Sequence, residues 1–180
     1  MIALQIINPH WIKGSKDDPD DQCSHGAILF SVDSAVYISP ADGDWTTSAA
    51  GLFLLRTIDS DHTPENSVAE NNFLIPCCGH CVWPTENQRF TCSIMGCNTG
   101  INPELHHSDG KVHLKLHEKE SIVELKEWVL AVLGFIQQVE SFYENCTPKA
   151  AIQDDLDRQG WSAFWQEWQQ RKKQAEEVTK

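Results

Sequence analysis

The sequence contains no apolar run near the roughly 18 residues that a membrane-spanning helix needs, and its start lacks the basic-then-apolar pattern of a secretion signal. It is also poor in positive charge: 14 Lys and Arg stand against 26 Asp and Glu, a formal net charge of −12. Such a surface repels phosphate backbones and anionic lipids and attracts basic proteins. The sequence therefore predicts a cytoplasmic protein that binds neither nucleic acid nor membranes.

Familiar catalytic and cofactor-binding motifs are missing as well. The sequence has no Gly-x-Ser-x-Gly, no phosphate-binding glycine-rich loop, no dinucleotide fingerprint and no His-Glu-x-x-His pair. A catalytic triad built from distant residues stays open, because sequence spacing does not test it. We therefore expect recognition of a partner in preference to turnover of a substrate.

Apolar mass, in contrast, is plentiful. Of the 180 residues, 41% are hydrophobic and seven are Trp, which is enough to offset the conformational entropy of ordering the chain. The length fits one domain. We predict a single α+β domain over residues 1–180, with a small cysteine-rich subregion at 76–98.

Two kinds of hydrophobic periodicity indicate this fold class. Apolar and polar residues alternate over 111–117, which is typical of a half-buried strand. Ser121 and Glu124 form a capping-box pattern before an apolar stripe over 125–143, and a second stripe covers 161–177. We predict an antiparallel sheet of about five or six strands packed against two or three helices, the two longest at the C-terminus. The other predicted elements are strands over 2–7, 27–32, 35–39, 90–95 and 104–107 and a helix over 46–59.

The seven cysteines form an odd set, so complete pairing into disulfides is impossible, and reduced thiols are the default without a secretion signal. Four of them fall into a Cys-x2-Cys pair and a Cys-x4-Cys pair. Two such pairs on neighbouring turns can surround one zinc ion with thiolates at about 2.3 Å. The competing interpretation is a set of small, buried, reduced cysteines. The candidate zinc ligands are Cys78, Cys81, Cys92 and Cys97, with His80 or Cys77 as a substitute.

The first of these pairs also carries a redox motif. Cys78-Gly79-His80-Cys81 resembles the active-site tetrapeptide of protein disulfide isomerases over these four residues. The resemblance implies that Cys78 attacks a disulfide and Cys81 resolves the intermediate. In that family a helix continues from the motif and its dipole lowers the thiol pKa. Pro84 would fall inside such a helix and disfavours it, so a thiol-based redox enzyme is an alternative.

Two groups of aspartates are the candidate partner-binding residues. The first lies in a polar segment over 14–25 that we expect to be an exposed loop, and it lacks the spacing of a calcium-binding loop. The second precedes the last predicted helix, where its ordinary role is to favour the helix start. Carboxylates in such positions can also bind lysines and arginines of a partner. The candidates are Asp17, Asp18, Asp20 and Asp21 in the first group and Asp154, Asp155 and Asp157 in the second.

In size and charge the chain resembles bacterial immunity proteins, which occlude cationic toxins such as nucleases, although no motif carries this resemblance. It implies a non-enzymatic, cytoplasmic, protein-binding domain that inhibits a basic bacterial toxin. Excess carboxylates steer such an association and raise its rate. The zinc-stabilised domain, which is compatible with this function, and the redox enzyme are the alternatives.

Overall fold

The computed structural model describes residues 1–86 and 89–180, within which eleven short strands form small antiparallel sheets around three helices. The strands are β1 (Ile2–His10), β2 (His25–Val32), β3 (Ala35–Ile38), β4 (Asp44–Thr46), β5 (Ile75–Pro76), β6 (Cys81–Pro84), β7 (Cys92–Met95), β8 (Gly100–Ile101), β9 (Glu104–Ser108), β10 (Lys111–Leu116) and β11 (Lys119–Glu124). The helices are α1 (Thr47–Arg56), α2 (Leu125–Glu144) and α3 (Asp155–Val178), and a 3-10 turn covers Pro40–Asp42.

The predicted α+β class and the two long C-terminal helices are confirmed. The strands, however, are divided among several sheets. Strands β1 to β4 form one sheet, β9 to β11 form a second, and the pairs β5 with β8 and β6 with β7 form two short ribbons within the described residues. Sheets this small cannot bury a face by themselves, so the helices supply most of the apolar surface that covers them.

The predicted capping box before α2 is wrong. Ser121 lies in β11, opposite Leu114 of β10, and α2 begins at Leu125. Glu124 is the N-cap residue and makes no side-chain capping hydrogen bond. The polar pattern that resembles a helix start belongs instead to an edge strand, because pairing with β10 satisfies the backbone groups of this segment.

Helix α1 lies at the centre of the molecule and is buried along its whole length. At Gly51, an added Cβ would lie 2.6 Å from the ring of Trp168, so the glycine allows α3 to pack closely on α1. Gly160 has the same effect at a second contact of α3, where a Cβ would lie 1.8 Å from the carbonyl oxygen of Val82 in β6. Helix α3 therefore packs on α1 and on the β6–β7 hairpin.

A buried ion pair joins α1 to α3. The Arg56 side chain donates to both carboxylate oxygens of Glu167, from Nε at 2.8 Å and from Nη2 at 2.9 Å. Glu167, which is 3% exposed, also accepts from Arg171 Nε at 2.7 Å and from the backbone N–H of Thr91 at 2.9 Å. Burial acts to raise the pKa of Glu167, but the hydrogen bonds and charge of Arg56 outweigh it and hold the pKa below its ordinary value.

Of the helices that the described residues form, none combines the length and the apolar character that crossing a bilayer requires.

Candidate functional site

The first aspartate group lies against the segment that precedes α3. Thr147 donates from its backbone N–H and its hydroxyl to Asp17, at 3.0 and 2.5 Å. Lys149 Nζ donates to the carbonyl oxygen of Asp18 at 2.7 Å, and the backbone N–H of Ala150 donates to the carbonyl oxygen of Pro19 at 2.8 Å. These bonds bring the loop at 17–21 next to the start of α3, so the two predicted aspartate groups share one region of the surface.

Three carboxylates of the first group stabilise their own loop. Asp18 is buried, and its carboxylate accepts from the backbone N–H of Asp20 at 3.0 Å, which is the main cause of its lowered pKa. Asp21 accepts from the backbone N–H of Ile12 at 2.7 Å, and Asp17 holds Thr147 as described. The loop is consequently ordered by its own acidic side chains, which leaves less of its charge free for a partner.

In the second group, too, the fold uses some carboxylates and leaves one without a partner among the described residues. Asp154 caps α3, since its side chain accepts from the backbone N–H groups of Leu156 and Asp157 at 2.9 and 3.0 Å. Asp155 forms an exposed ion pair with Arg158. The carboxylates of Asp20 and Asp157 are exposed, and neither has a hydrogen bond or an ion pair within residues 1–86 and 89–180. Two of the seven predicted aspartates therefore have a carboxylate that the described residues leave without a partner.

These two carboxylates line the same depression, which we call the acidic cavity. It has a volume of about 300 Å³, and its lining includes Asp20, Asp21 and Asp157 together with His80 and Trp161. No Lys or Arg side chain of the described chain lines it. Trp161 is 6% exposed and supplies a fixed apolar wall. The cavity thus combines negative charge with an aromatic surface, which are the features that bind a cation on a long aliphatic stem.

A second cluster consists of Cys77, Cys78 and Cys97, which we call the thiol cluster. Their sulfur atoms all lie within 4.8 Å of one another, so the three residues could hold a metal ion. Around a tetrahedral zinc ion with bonds of about 2.3 Å, sulfur atoms lie roughly 3.8 Å apart. This spacing is within the 4.8 Å limit that the three sulfur atoms satisfy.

The thiol cluster contains two of the four predicted zinc ligands and the predicted substitute Cys77. Cys81 and Cys92 lie outside it, so the predicted set of four does not assemble. The register of the β6–β7 hairpin explains this, because Cys81 is opposite Met95 whereas Cys92 is opposite Pro84. The two cysteines are therefore about 10 Å apart along the hairpin, and Cys92 is buried.

Hydrogen bonds from the Asn72 side chain and between backbone groups hold the two parts of the thiol cluster together. Asn72 Nδ2 donates to the carbonyl oxygen of Cys78 at 3.0 Å and to that of Ile94 at 3.3 Å. The backbone N–H of Cys77 donates to the carbonyl oxygen of Thr99 at 3.1 Å. These bonds link the segment before β6 to the segment after β7. The cysteine spacing did not predict this role of Asn72, because Asn72 precedes the first cysteine pair and carries no ligand atom typical of zinc.

The pKa shifts of the three thiols differ in direction. A hydrogen bond to Cys97 raises the pKa of the Cys78 thiol to about 12, and burial raises the pKa of Cys77. The same hydrogen bond from Cys78 lowers the pKa of Cys97, which is the exposed member. Of the three thiols, the exposed Cys97 is therefore the one whose pKa is lowered.

The tetrapeptide that resembles the disulfide isomerase motif lies in a different local structure. Its last residue, Cys81, is the first residue of strand β6, and the strand continues to Pro84. Cys78 therefore does not precede a helix whose dipole could lower its pKa. Its neighbour Cys97 raises the pKa instead. Cys78 has the local surroundings of a metal ligand more than those of an attacking thiol.

No protein-family model matches the chain, and no curated protein or solved structure is significantly similar to it.

Proposed function

We propose that the protein is a non-enzymatic binding domain whose acidic cavity receives a lysine or arginine side chain of a basic partner protein. One observation carries this proposal: Asp20 and Asp157 come from segments far apart in the sequence and line one cavity, and their carboxylates have no partner among the described residues. The carboxylates of the other five aspartates in the two groups form hydrogen bonds or ion pairs within the chain.

The chemistry of the cavity suits one basic side chain. A volume of about 300 Å³ is at the lower limit for a small-molecule pocket. Carboxylates form short, charge-assisted hydrogen bonds with guanidinium and ammonium groups. The methylene stem of the same side chain can pack on Trp161 while its charged end contacts Asp20 and Asp157. Such an anchor would contribute to affinity, and the surrounding charge would mainly raise the association rate.

The class of partner follows from the charge of the whole chain. A net charge of −12 attracts basic proteins over several ångströms and repels nucleic acid and anionic membranes. A basic bacterial toxin fits this chemistry, so the proposal includes the role of an immunity-type inhibitor. It also includes a cytoplasmic location, which the free cysteines support because reducing compartments keep thiols unpaired.

A titration with a small probe tests the cavity. Acetyl-arginine amide added to isotope-labelled protein should shift the NMR signals of the Trp161 indole and of the Asp20 and Asp157 amides. Asp20→Asn and Asp157→Asn should remove these shifts, because each replaces a charge with a neutral amide of the same shape. Asp109→Asn is the matched control, since Asp109 is exposed in the β9–β10 turn and Asn tolerates its φ of 51°.

The partner itself is tested by capture from the source cells at low salt. A captured basic protein should be lost with the double variant Asp20→Asn, Asp157→Asn and retained with Asp109→Asn. Its release should become easier as salt is raised. Equal capture by the wild type and the double variant would contradict a role for the acidic cavity.

A second candidate function, a zinc-stabilised domain, is favoured by the thiol cluster. We propose Cys77, Cys78 and Cys97 as the zinc ligands, in place of the four predicted from spacing. Thiolates are preferred zinc ligands, and the ion would tie the segment before β6 to the segment after β7. Protein purified without a chelator should then contain about one equivalent of zinc per chain; less than about half an equivalent would count against the site.

A further inference from the structure

We infer that the proposed zinc site is open: Cys77, Cys78 and Cys97 hold the ion with three thiolates, and the fourth coordination position takes an external nitrogen or sulfur ligand. This inference rests on the proposed zinc site. It adds that a second molecule, such as an imidazole or a small thiol, binds directly to the metal ion.

The number of ligands is the first argument. Within the described residues, the group of His, Cys, Asp and Glu atoms that lie within 4.8 Å of one another contains three cysteines and no fourth member. Zinc sites with a structural role have four protein ligands, whereas sites with three keep the last position for water or a substrate. A three-thiolate set therefore fits an open site.

The two remaining cysteines of the region are held elsewhere. Cys92 is 1% exposed, and its sulfur atom lies 3.6 Å from Arg56 Nη2 in the interior. Cys81 pairs with Met95 in the β6–β7 hairpin, so its backbone is fixed by the ribbon. Neither sulfur atom belongs to the group that lies within 4.8 Å, so within the described residues neither cysteine is placed as the fourth ligand.

The position of Cys97 is the second argument. It is the exposed member of the cluster, and the two residues that follow it are exposed as well. Cys77 and Cys78 are half-buried and lie on the protein side of the site. An ion held by these three sulfur atoms would have protein behind it and solvent in front of it, so an external ligand can reach the fourth position.

Cobalt(II) tests the inference, because its absorption spectrum reports both the ligands and the geometry of a zinc-type site. Reduced protein in a phosphine reductant should bind one Co²⁺ with thiolate charge-transfer bands and tetrahedral d–d bands. Adding imidazole should then shift the d–d bands without changing the stoichiometry. Cobalt bands that do not respond to imidazole or to a small thiol would overturn the open site and leave the zinc proposal standing; absence of Co²⁺ binding would overturn both.

Single-cysteine variants identify the ligands in the same assay. Cys97→Ser should weaken Co²⁺ binding by more than about 10-fold, since even changes outside the ligand set cost 10- to 100-fold. Cys81→Ser should keep both the affinity and the response to imidazole. If Cys81→Ser loses the affinity, Cys81 is the fourth ligand and the site is closed, which would overturn the inference.

Cys146→Ser is the matched control for removal of one thiol. Its sulfur contacts the carbonyl oxygens of Lys16 and Phe142, away from the cluster, so Co²⁺ binding should equal that of the wild type. Circular dichroism of each variant before metal addition separates a lost ligand from a lost fold. A Cys97→Ser protein that is folded and binds Co²⁺ as tightly as the wild type would also contradict the inference.

Discussion

Glu167 and Asp157 lie on the same helix, ten residues apart, and have opposite surroundings. Glu167 is buried and accepts hydrogen bonds from Arg56, Arg171 and the backbone of Thr91. Asp157 is exposed and lines the acidic cavity, and its carboxylate has no partner among the described residues. On this helix, a carboxylate surrounded by donors ties α3 to the interior, whereas a carboxylate left without donors faces the acidic cavity.

Removing the buried carboxylate should produce the largest effect on stability. Glu167→Ala leaves the guanidinium of Arg56 buried without its partner, which costs about 3 to 5 kcal/mol of unfolding free energy. Denaturant unfolding monitored by Trp fluorescence measures the loss. Glu176→Ala, on an exposed turn of the same helix, should change stability by less than about 0.5 kcal/mol. Similar losses for the two variants would mean that the interior ion pair does not hold α3 in place.

The same carboxylate should make the fold sensitive to acid, with an effect smaller than that of truncation. Because the pKa of Glu167 is lowered in the folded state, its stabilisation is fully present above the ordinary value of 4.5 and is lost as pH falls through the folded pKa. Unfolding free energies of the wild type and Glu167→Gln should therefore converge below about pH 4.5. A difference that stays constant down to pH 2 would show that the charge of Glu167 contributes nothing.

The helix cap should have an intermediate effect. Asp154→Ala removes the acceptor for two backbone N–H groups at the start of α3, a change that costs about 1 kcal/mol. Binding of the arginine probe to the acidic cavity should persist in this variant, because Asp154 does not line the cavity. Thermal unfolding and the NMR titration together check both parts. Loss of probe binding in a folded Asp154→Ala protein would extend the binding surface beyond the two free carboxylates.

Neutralising the free carboxylate should have the smallest effect on stability. Asp157→Asn should change the unfolding free energy by less than about 0.5 kcal/mol, since the side chain has no partner to lose, and yet remove the response to the arginine probe. Chemical denaturation and the titration give the two quantities. A large loss of stability in this variant would show that the Asp157 carboxylate, like that of Glu167, stabilises the fold.

Local patterns predicted the fold where one face of an element is buried. The stripe over 125–143 matches α2, and the alternation over 111–117 matches β10. The pattern failed at Ser121 and Glu124, because a polar residue followed three positions later by an acidic one suits an edge strand as well as a helix start. Only the availability of β10 as a pairing partner decides between them, and that depends on tertiary structure.

The candidate sites were predictable as residue types and not as assemblies. The seven aspartates stood out by their charge, but their spacing does not show which carboxylates the fold uses, since one of them, Asp17, is held by Thr147, 130 residues away in the sequence. The cysteine spacing identified Cys78 and Cys97 correctly as neighbours. It did not separate Cys81 and Cys92 from them, because strand pairing assigns the cysteines of the hairpin to different positions along the ribbon.

The contact of Gly160 with Val82 sets how closely α3 can approach strand β6. Because Gly160 places no side chain between the helix and the hairpin, the two backbones are in direct contact. Even one methyl group at this position would push α3 away from β6. Asp157 lies three residues before Gly160, one turn away. A substitution at position 160 would therefore also displace Asp157 and Trp161, which line the acidic cavity from the same helix.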